Sequence, residues 1–156
     1  MKIISHSSAN TINIGKAISA RLNPADIICL FGDLGSGKTV LTKGIAQGLG
    51  VKKEEVISPS FILMRAHAAR HMPFYHFDLY RLNDPRDILD IGYEEYLYGA
   101  GVTVIEWADR LKGLLPSEFL RIELFVKSPL KRELRLSAFG KHYQELLKKI
   151  HESRPS

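Results

Sequence analysis

The chain has 156 residues, of which 45% are hydrophobic and 25% charged, and its formal net charge is +5. This size and mixture favour one soluble domain, residues 1–156. No apolar run approaches the roughly 18 residues that cross a bilayer, and the N-terminus lacks the apolar core of a signal peptide. The single cysteine, Cys29, excludes an internal disulfide. We therefore expect a cytoplasmic protein with no membrane partner.

The N-terminal part predicts a strand and then a helix. Lys2–Ser5 is expected to be a short edge strand, and Ser7 or Ser8 caps a helix that runs to about Leu22. The inward residues of this helix are expected to be Ile14, Ala17 and Ile18. Ile27–Phe31 is a continuous apolar run, which is typical of a buried parallel strand.

A glycine-rich segment follows this strand and reads Gly32-Asp33-Leu34-Gly35-Ser36-Gly37-Lys38-Thr39. It matches the phosphate-binding loop pattern G-x-x-x-x-G-K-[ST]. Its glycines let the loop turn tightly and direct backbone N–H groups at a phosphate. Lys38 supplies a cation for the β- and γ-phosphates and is expected to be exposed in an empty loop, and the Thr39 hydroxyl is placed to ligate Mg²⁺. Apolar residues at every fourth position then predict a helix: Leu41, Ile45 and Leu49.

The middle of the chain predicts three strands and two short helical segments. The strands are Phe61–Arg65, Pro73–Phe77 and Val102–Ile105, and the helical segments begin at Asp84-Pro85 and Glu94. The first two strands are expected to be joined by a loop around His67–His71.

The C-terminal part changes character. Residues 120–126 and 134–138 alternate between apolar and other side chains, which predicts an antiparallel pair. Lys141–His151 predicts a helix with Leu146, Leu147 and Ile150 inward. The fold class is therefore α/β: a P-loop NTPase-like domain whose mixed sheet has parallel strands around the phosphate loop and antiparallel strands at an edge, flanked by helices.

The positive charge is concentrated near the C-terminus. Residues 127–156 carry eight Lys or Arg and three Asp or Glu, which accounts for the whole +5. The basic helix and tail, about 141–156, form either a solvated surface or a patch that faces RNA or an acidic protein. No aromatic-rich RNA-binding signature accompanies this charge.

Two carboxylates are candidates to complete a nucleotide site, because each follows a predicted strand. They are Asp78 and Glu106. His76 lies two residues before Asp78 and so shares its strand face. Asp78 is equally consistent with a turn residue, and Glu106 with an exposed charge at a strand end. Trp107 is either core packing or a wall of the nucleotide cleft. Ser60, in Ser58-Pro59-Ser60, is either part of a turn or a hydroxyl that senses the γ-phosphate.

Five segments occur in a recognisable order. They are Gly32 to Thr39, Ser58-Pro59-Ser60-Phe61, His76-Phe77-Asp78-Leu79-Tyr80-Arg81-Leu82, Ile91-Gly92-Tyr93-Glu94-Glu95-Tyr96-Leu97 and Ile105-Glu106-Trp107. Over roughly residues 7–140 the chain resembles the bacterial TsaE (YjeE) family of small P-loop ATPases. The resemblance implies ATP and Mg²⁺ as cofactors and a cytoplasmic role in forming threonylcarbamoyladenosine at position 37 of tRNAs that read codons starting with A. It also implies the partners TsaB and TsaD, contact with tRNA only through their complex, and weak ATPase activity without them.

The resemblance also implies roles for single residues. Lys38, Asp78 and Glu106 are the implied catalytic residues, Thr39 and Glu106 the implied metal ligands, and Ser60, His76 and Trp107 further site residues. The implied nucleotide-binding residues are Thr11, Asp33, Leu34, Gly35, Ser36, Gly37, Lys38, Thr39, Val40 and Arg132. Within this set, Thr11 and Arg132 resemble positions on the nucleoside side. Val40 departs from the family pattern, in which a second threonine is usual.

Other functions remain open on the residues alone. A small-molecule P-loop kinase would need an acceptor pocket, for which Arg65, Arg70 and Arg81 are candidate anion contacts. A nucleotide-binding subunit that only tunes assembly would carry the same loop and carboxylates. A GTP switch is disfavoured because the chain contains no Asn-Lys-x-Asp guanine-reading motif.

Overall fold

The computed structural model describes residues 1–55 and 63–153. Its strands are β1 (Lys2–Ser5), β2 (Ile27–Phe31), β3 (Met64–Ala68), β4 (Pro73–Asp78), β5 (Val102–Glu106), β6 (Phe119–Val126) and β7 (Arg132–Phe139). Its α-helices are α1 (Ser8–Ser19), α2 (Lys38–Gly48), α3 (Tyr93–Leu97) and α4 (Lys141–Glu152). Three 3₁₀ helices cover Lys53–Glu55, Pro85–Ile91 and Ala108–Leu114.

All seven strands form one mixed sheet in the order β1-β7-β6-β2-β5-β4-β3. Its centre is parallel: β2 pairs with both β5 and β6, and β4 pairs with β5. Antiparallel pairs close both edges, β3 with β4 on one side and β6, β7 and β1 on the other. The predicted α/β class is confirmed, and the antiparallel strands lie at two edges. The apolar runs of β2 and β5 are buried throughout, as expected for central parallel strands.

The hairpin at the β3 edge differs from its prediction. Strand β3 continues to Ala68, so His67 lies in the strand rather than in the connecting loop. Backbone pairing with β4 explains the extension, since Ala68 lies opposite Pro73. The predicted strand residues Phe61 and Ile62 lie outside the described residues.

Close contact between α1 and α2 corrects the N-terminal prediction. A Cβ on Gly44 would lie 2.3 Å from the Ile12 carbonyl oxygen, so these helices touch through their backbones. Because the contact forms along this face, α1 buries Thr11, Gly15, Ile18 and Ser19, and Ala17 is exposed. The helix ends at Ser19 rather than near Leu22.

The C-terminal prediction is confirmed. Strands β6 and β7 pair antiparallel, and Leu146 and Ile150 of α4 are buried, with Leu147 packed against the same core. Cys29 is fully buried, and burial raises the pKa of its thiol, so it behaves as a small apolar core residue. Across the described residues, no helix is both long and apolar enough to cross a membrane.

Candidate functional site

The phosphate-binding loop connects the carboxyl end of β2 to the first turn of α2. Gly35 and Gly37 have φ angles of +79° and +104°, which favour glycine over any residue with a Cβ. The α2 helix begins at Lys38, directly after Gly37. Its free N–H groups and the positive end of its dipole therefore lie at the loop, where an anion is stabilised.

Lys38 is buried, contrary to the expectation that it is exposed in an empty loop. Its exposed fraction is 5%, because its ammonium folds back and donates to the carbonyl oxygens of Gly32 and Asp33. Burial lowers the pKa of Lys38, and the carboxylates of Glu106 and Asp109 oppose that shift. The loop thus holds its own cation through weak neutral acceptors, which a phosphate can replace.

Glu106 lies at the end of β5 and is 1% exposed. One carboxylate oxygen, Oε1, accepts a hydrogen bond from the Thr39 hydroxyl at 2.7 Å. The other, Oε2, is hydrogen-bonded to Nε2 of the fully buried His76. The parallel pairing of β2 with β5 produces this meeting, because it places Leu30 beside Glu106 and so brings the loop after β2 over the end of β5.

Asp78 ends the neighbouring strand and lies directly opposite Glu106 in the register of β4 and β5. It is 7% exposed, and its Oδ1 accepts from the Tyr80 N–H at 3.1 Å. Asp78 therefore shapes a turn and also places a carboxylate beside Glu106. Two adjacent carboxylates beside a hydroxyl and an ammonium create strong local charge in a small volume.

A cleft of about 370 Å³ opens above these residues. Twelve predicted positions line it: Thr11, Leu34, Gly35, Ser36, Gly37, Lys38, Thr39, Val40, Asp78, Glu106, Trp107 and Arg132. Residues from the start of α1, the loop, β4, β5 and β7 thus meet in one place, although they are far apart in sequence.

The model for the family described as "Threonylcarbamoyl adenosine biosynthesis protein TsaE" matches residues 5–134. The chain belongs to the TsaE family. A protein of Bacillus subtilis named "tRNA threonylcarbamoyladenosine biosynthesis protein TsaE" is 38% identical over 137 residues, covering 88% of this chain and 85% of that protein. A Treponema pallidum protein of the same name is also 38% identical over 137 residues, covering 88% of this chain and all of its own.

A solved structure agrees with the family assignment. The crystal structure of Bacillus subtilis YdiB superposes with a TM-score of 0.84 at 32% identity, covering 97% of this chain and 94% of that one. The two chains therefore share one fold over nearly their whole lengths.

Trp107 has an unusual backbone for a bulky residue, with a φ of +56° and a ψ of +43°. This left-handed conformation costs about 1–2 kcal/mol in a residue with a Cβ. It turns the indole back across the loop, where the ring centroid lies 3.9 Å from the Lys38 ammonium and 5.1 Å from the Tyr80 ring centroid. Trp107 is therefore a wall of the cleft and a cation–π partner of Lys38.

Thr11 and Arg132 line the cleft from α1 and from the start of β7. The Thr11 hydroxyl shares a 2.7 Å hydrogen bond with the Ser5 hydroxyl, which fixes it in place. The Arg132 guanidinium donates to the Gly35 carbonyl oxygen at 3.3 Å, so it reaches the loop from the start of β7. α1 and β7 thus each contribute a side chain to the cleft beside the glycine-rich loop.

Several cleft residues were missed by sequence reasoning. They are Ser7, Ser8, Tyr80, Pro129 and Leu130. Ser7 carried a signal, since it caps α1 by accepting from the Asn10 N–H at 3.0 Å and lies four residues before Thr11. Ser8 directly follows this cap as the first residue of α1. The places of Tyr80, Pro129 and Leu130 at the cleft depend on the β6–β7 turn and on the bend after Asp78, which no local pattern indicates.

Some predicted residues lie away from the lining of the cleft. The Asp33 side chain is exposed, although its carbonyl oxygen accepts from Lys38 at 2.9 Å, and His76 lies behind Glu106. Ser60 lies outside the described residues. The candidate kinase contacts Arg65, Arg70 and Arg81 do not line the cleft.

The residues present fit a magnesium ion held together with phosphates. Within residues 1–55 and 63–153 no cluster of three or more His, Cys, Asp or Glu forms a self-sufficient metal site. The Thr39–Glu106 pair instead offers one hydroxyl and one carboxylate, a donor set typical of magnesium that keeps phosphate and water ligands.

Proposed function

We propose that this chain binds ATP with Mg²⁺ in the cleft and hydrolyses it during formation of threonylcarbamoyladenosine in tRNA, in the cytoplasm. The observation that carries the proposal is the meeting of the buried Lys38, the Thr39–Glu106 pair and Asp78 at one loop. Family membership supports the tRNA pathway, because the Bacillus subtilis and Treponema pallidum relatives carry that pathway in their names.

The loop residues bind the phosphates in this proposal. The N–H groups at the start of α2 and the Lys38 ammonium face the β- and γ-phosphates. Lys38 leaves the carbonyl oxygens of Gly32 and Asp33 for the charged oxygens of the phosphate, which are stronger acceptors. Thr11 and Arg132, which also line the cleft, contact the nucleoside side in this proposal.

Thr39 and Glu106 hold the metal, directly or through water, and Asp78 orients the attacking water. Magnesium bound there would neutralise charge that develops on the phosphates. In the proposal Asp78 does not bind the metal, because it lies on β4, one strand further from the loop than Glu106. Its carboxylate faces the cleft, where a water beside the γ-phosphate would lie.

Partners complete the site in this proposal. Leu34 and Leu130 line the mouth of the cleft and are 73% and 71% exposed, so the described chain leaves the phosphates open to water. Excluding water strengthens every charge interaction at the phosphates. We expect TsaB and TsaD to provide this closure, and tRNA to contact the chain only through their complex.

The experiment is ATP turnover by the isolated chain and by the chain mixed with TsaB and TsaD of the same organism, each with and without Mg²⁺. The proposal expects slow turnover alone and faster, magnesium-dependent turnover in the mixture. Binding without turnover in the mixture would indicate a subunit whose nucleotide state only tunes assembly. Fast turnover by the isolated chain that requires a small acceptor would indicate a kinase.

A further inference from the structure

His76 is a buried side chain behind the cleft, and it is not among the residues proposed to contact ATP or the metal. It lies in β4, its exposed fraction is 0%, and its Nε2 is hydrogen-bonded to Glu106 Oε2. A buried imidazole is costly unless both ring nitrogens are satisfied. Its other nitrogen, Nδ1, has no hydrogen-bond partner among the described residues. His76 therefore directs its one strong interaction at Glu106.

We propose that His76 is a positioning residue that holds the Glu106 carboxylate in the orientation required for magnesium. This inference rests on the proposed function. Glu106 is fixed at two points: Oε1 accepts from Thr39 at 2.7 Å, and Oε2 is bonded to His76. In this proposal the His76 ring donates through Nε2–H, because a carboxylate that binds a metal ion offers only acceptor oxygens. The pair of bonds determines both the position and the plane of the carboxylate.

The fold explains why Glu106 needs this support. Asp78 lies directly opposite Glu106 in the sheet, and two neighbouring carboxylates repel one another. Without a donor on Oε2, only the hydrogen bond from Thr39 to Oε1 would hold the carboxylate against this repulsion. The His76 ring is held by packing in turn, because Phe74 lies on the same strand face with its centroid 6.3 Å away. The arrangement is that of an outer-shell partner that orients a metal ligand.

The test compares His76→Leu, which removes the donor at similar volume, with His76→Gln, whose side-chain amide can donate from a similar position. The measurement is equilibrium binding of ATP by the full chain over a magnesium series, with a second series in EDTA. The Leu variant is expected to need about 10- to 100-fold more Mg²⁺ for half-maximal metal-dependent binding. Its binding in EDTA is expected to equal that of the unaltered chain, and the Gln variant is expected to recover most of the magnesium affinity.

A neighbouring histidine supplies a matched control. His67 lies on β3, opposite Phe74, and its ring stacks on Phe74 with centroids 6.0 Å apart. His67→Leu removes an imidazole from the same part of the sheet without touching Glu106, so its magnesium series is expected to be unchanged. An unaltered series for His76→Leu, or equal losses with magnesium and in EDTA, would overturn the proposal.

A separate readout distinguishes this inference from the proposed function. In the metal-free chain, unfolding is measured for His76→Leu, for Glu106→Ala, which removes both acceptor oxygens, and for the double variant. A direct bond between the side chains makes the two effects non-additive. Additive effects would overturn the inference even if ATP binds as proposed. Non-additive effects, together with no magnesium dependence in the unaltered chain, would reject the magnesium site while confirming that His76 positions Glu106.

Discussion

Two buried carboxylates, each bonded to a histidine, lie at opposite ends of the central strands. Glu106 at the carboxyl end of β5 is 1% exposed and bonded to His76. Asp26, directly before β2, is 2% exposed and lies 2.6 Å from Nε2 of His142. The two carboxylates are almost equally buried, but His76 is fully buried whereas the His142 side chain is 51% exposed. Their surroundings decide what each pair does.

The surroundings of Asp26 are structural. Its second oxygen accepts from the Asn23 N–H at 2.8 Å, which closes the turn before β2. His142 belongs to α4, and the next residue, Tyr143, accepts from the Ile27 N–H at 2.9 Å through its hydroxyl. Asp26 therefore fastens the C-terminal helix to the sheet. Glu106 instead lies beside a hydroxyl, an ammonium and a second carboxylate in an open cleft. A buried carboxylate bonded to a histidine therefore does not indicate a functional site unless it has such neighbours.

The largest effect on ATP turnover is expected for Lys38→Ala, at the cleft end of the central strands. Loss of the preorganised cation should lower ATP turnover in the partner mixture at least about 100-fold. The free energy of unfolding should change little, because the variant removes a buried ammonium group. Burial already lowers the pKa of that group and so disfavours its charged form. Turnover and thermal unfolding are measured on the same samples. Turnover close to that of the unaltered chain would contradict the site assignment.

Glu106→Gln should separate metal binding from nucleotide binding. The amide keeps the size of the side chain but is a poor ligand for Mg²⁺, so metal-dependent ATP binding should weaken about 10- to 100-fold. Binding in EDTA should be unchanged, and stability should change little because repulsion from Asp78 is relieved. Equal losses in both conditions, measured by titration calorimetry, would make Asp78 the better candidate for the metal ligand.

Asp26→Asn is the matched change at the other end. One of the two donors that Asp26 accepts from would face an amide N–H, and the charge beside His142 would disappear. The free energy of unfolding should fall by about 1–3 kcal/mol, with nucleotide binding unchanged. Urea denaturation and ATP titration measure the two quantities. A variant of normal stability with weakened ATP binding would show that Asp26 acts in nucleotide binding rather than in stability.

The smallest effect on ATP binding is expected for Gly44→Ala, which alters the contact between α1 and α2. In Gly44→Ala the new methyl group would meet the Ile12 carbonyl oxygen at 2.3 Å, so α1 and α2 must separate. Overpacking of this kind costs about 1–3 kcal/mol, with little loss of ATP affinity. Gly113→Ala is the control, since its Cβ would meet nothing within 4 Å. Equal unfolding midpoints for the two variants would show that the helices do not need this contact.

Local patterns predicted the fold well. Three predictions depend only on neighbours in sequence, and each is confirmed: the buried strands β2 and β5, the order of strand, loop and helix from β2 to α2, and the antiparallel strands β6 and β7. The exposure of Ala17 could not be predicted because the glycines of α2 determine which face of α1 is buried. The same limit applies to Lys38, whose burial depends on loop carbonyls and on an indole that turns back from β5.

For the cleft, strand ends and the family resemblance together predicted twelve residues that the structure places around one cleft. Position at a strand end identified Asp78 and Glu106, and the structure places them opposite one another. Tyr80 and Leu130 were missed because their place at the cleft depends on how a bend and a turn fold over the loop. The bond between His76 and Glu106 needs the register of two strands, which a single sequence does not reveal.

Nuclear magnetic resonance of the chain with ATP and Mn²⁺ in place of Mg²⁺ tests most directly whether the metal binds at Thr39 and Glu106. Manganese accepts the same oxygen ligands as magnesium, and its unpaired electrons broaden the signals of nearby nuclei. A metal held by Thr39 and Glu106 should abolish the amide signals of Gly37 to Thr39 and of Glu106, and the signals of Asp26 and His142 should remain. Broadening centred on Asp26, or no broadening near Thr39 and Glu106 while ATP is bound, would contradict this metal site.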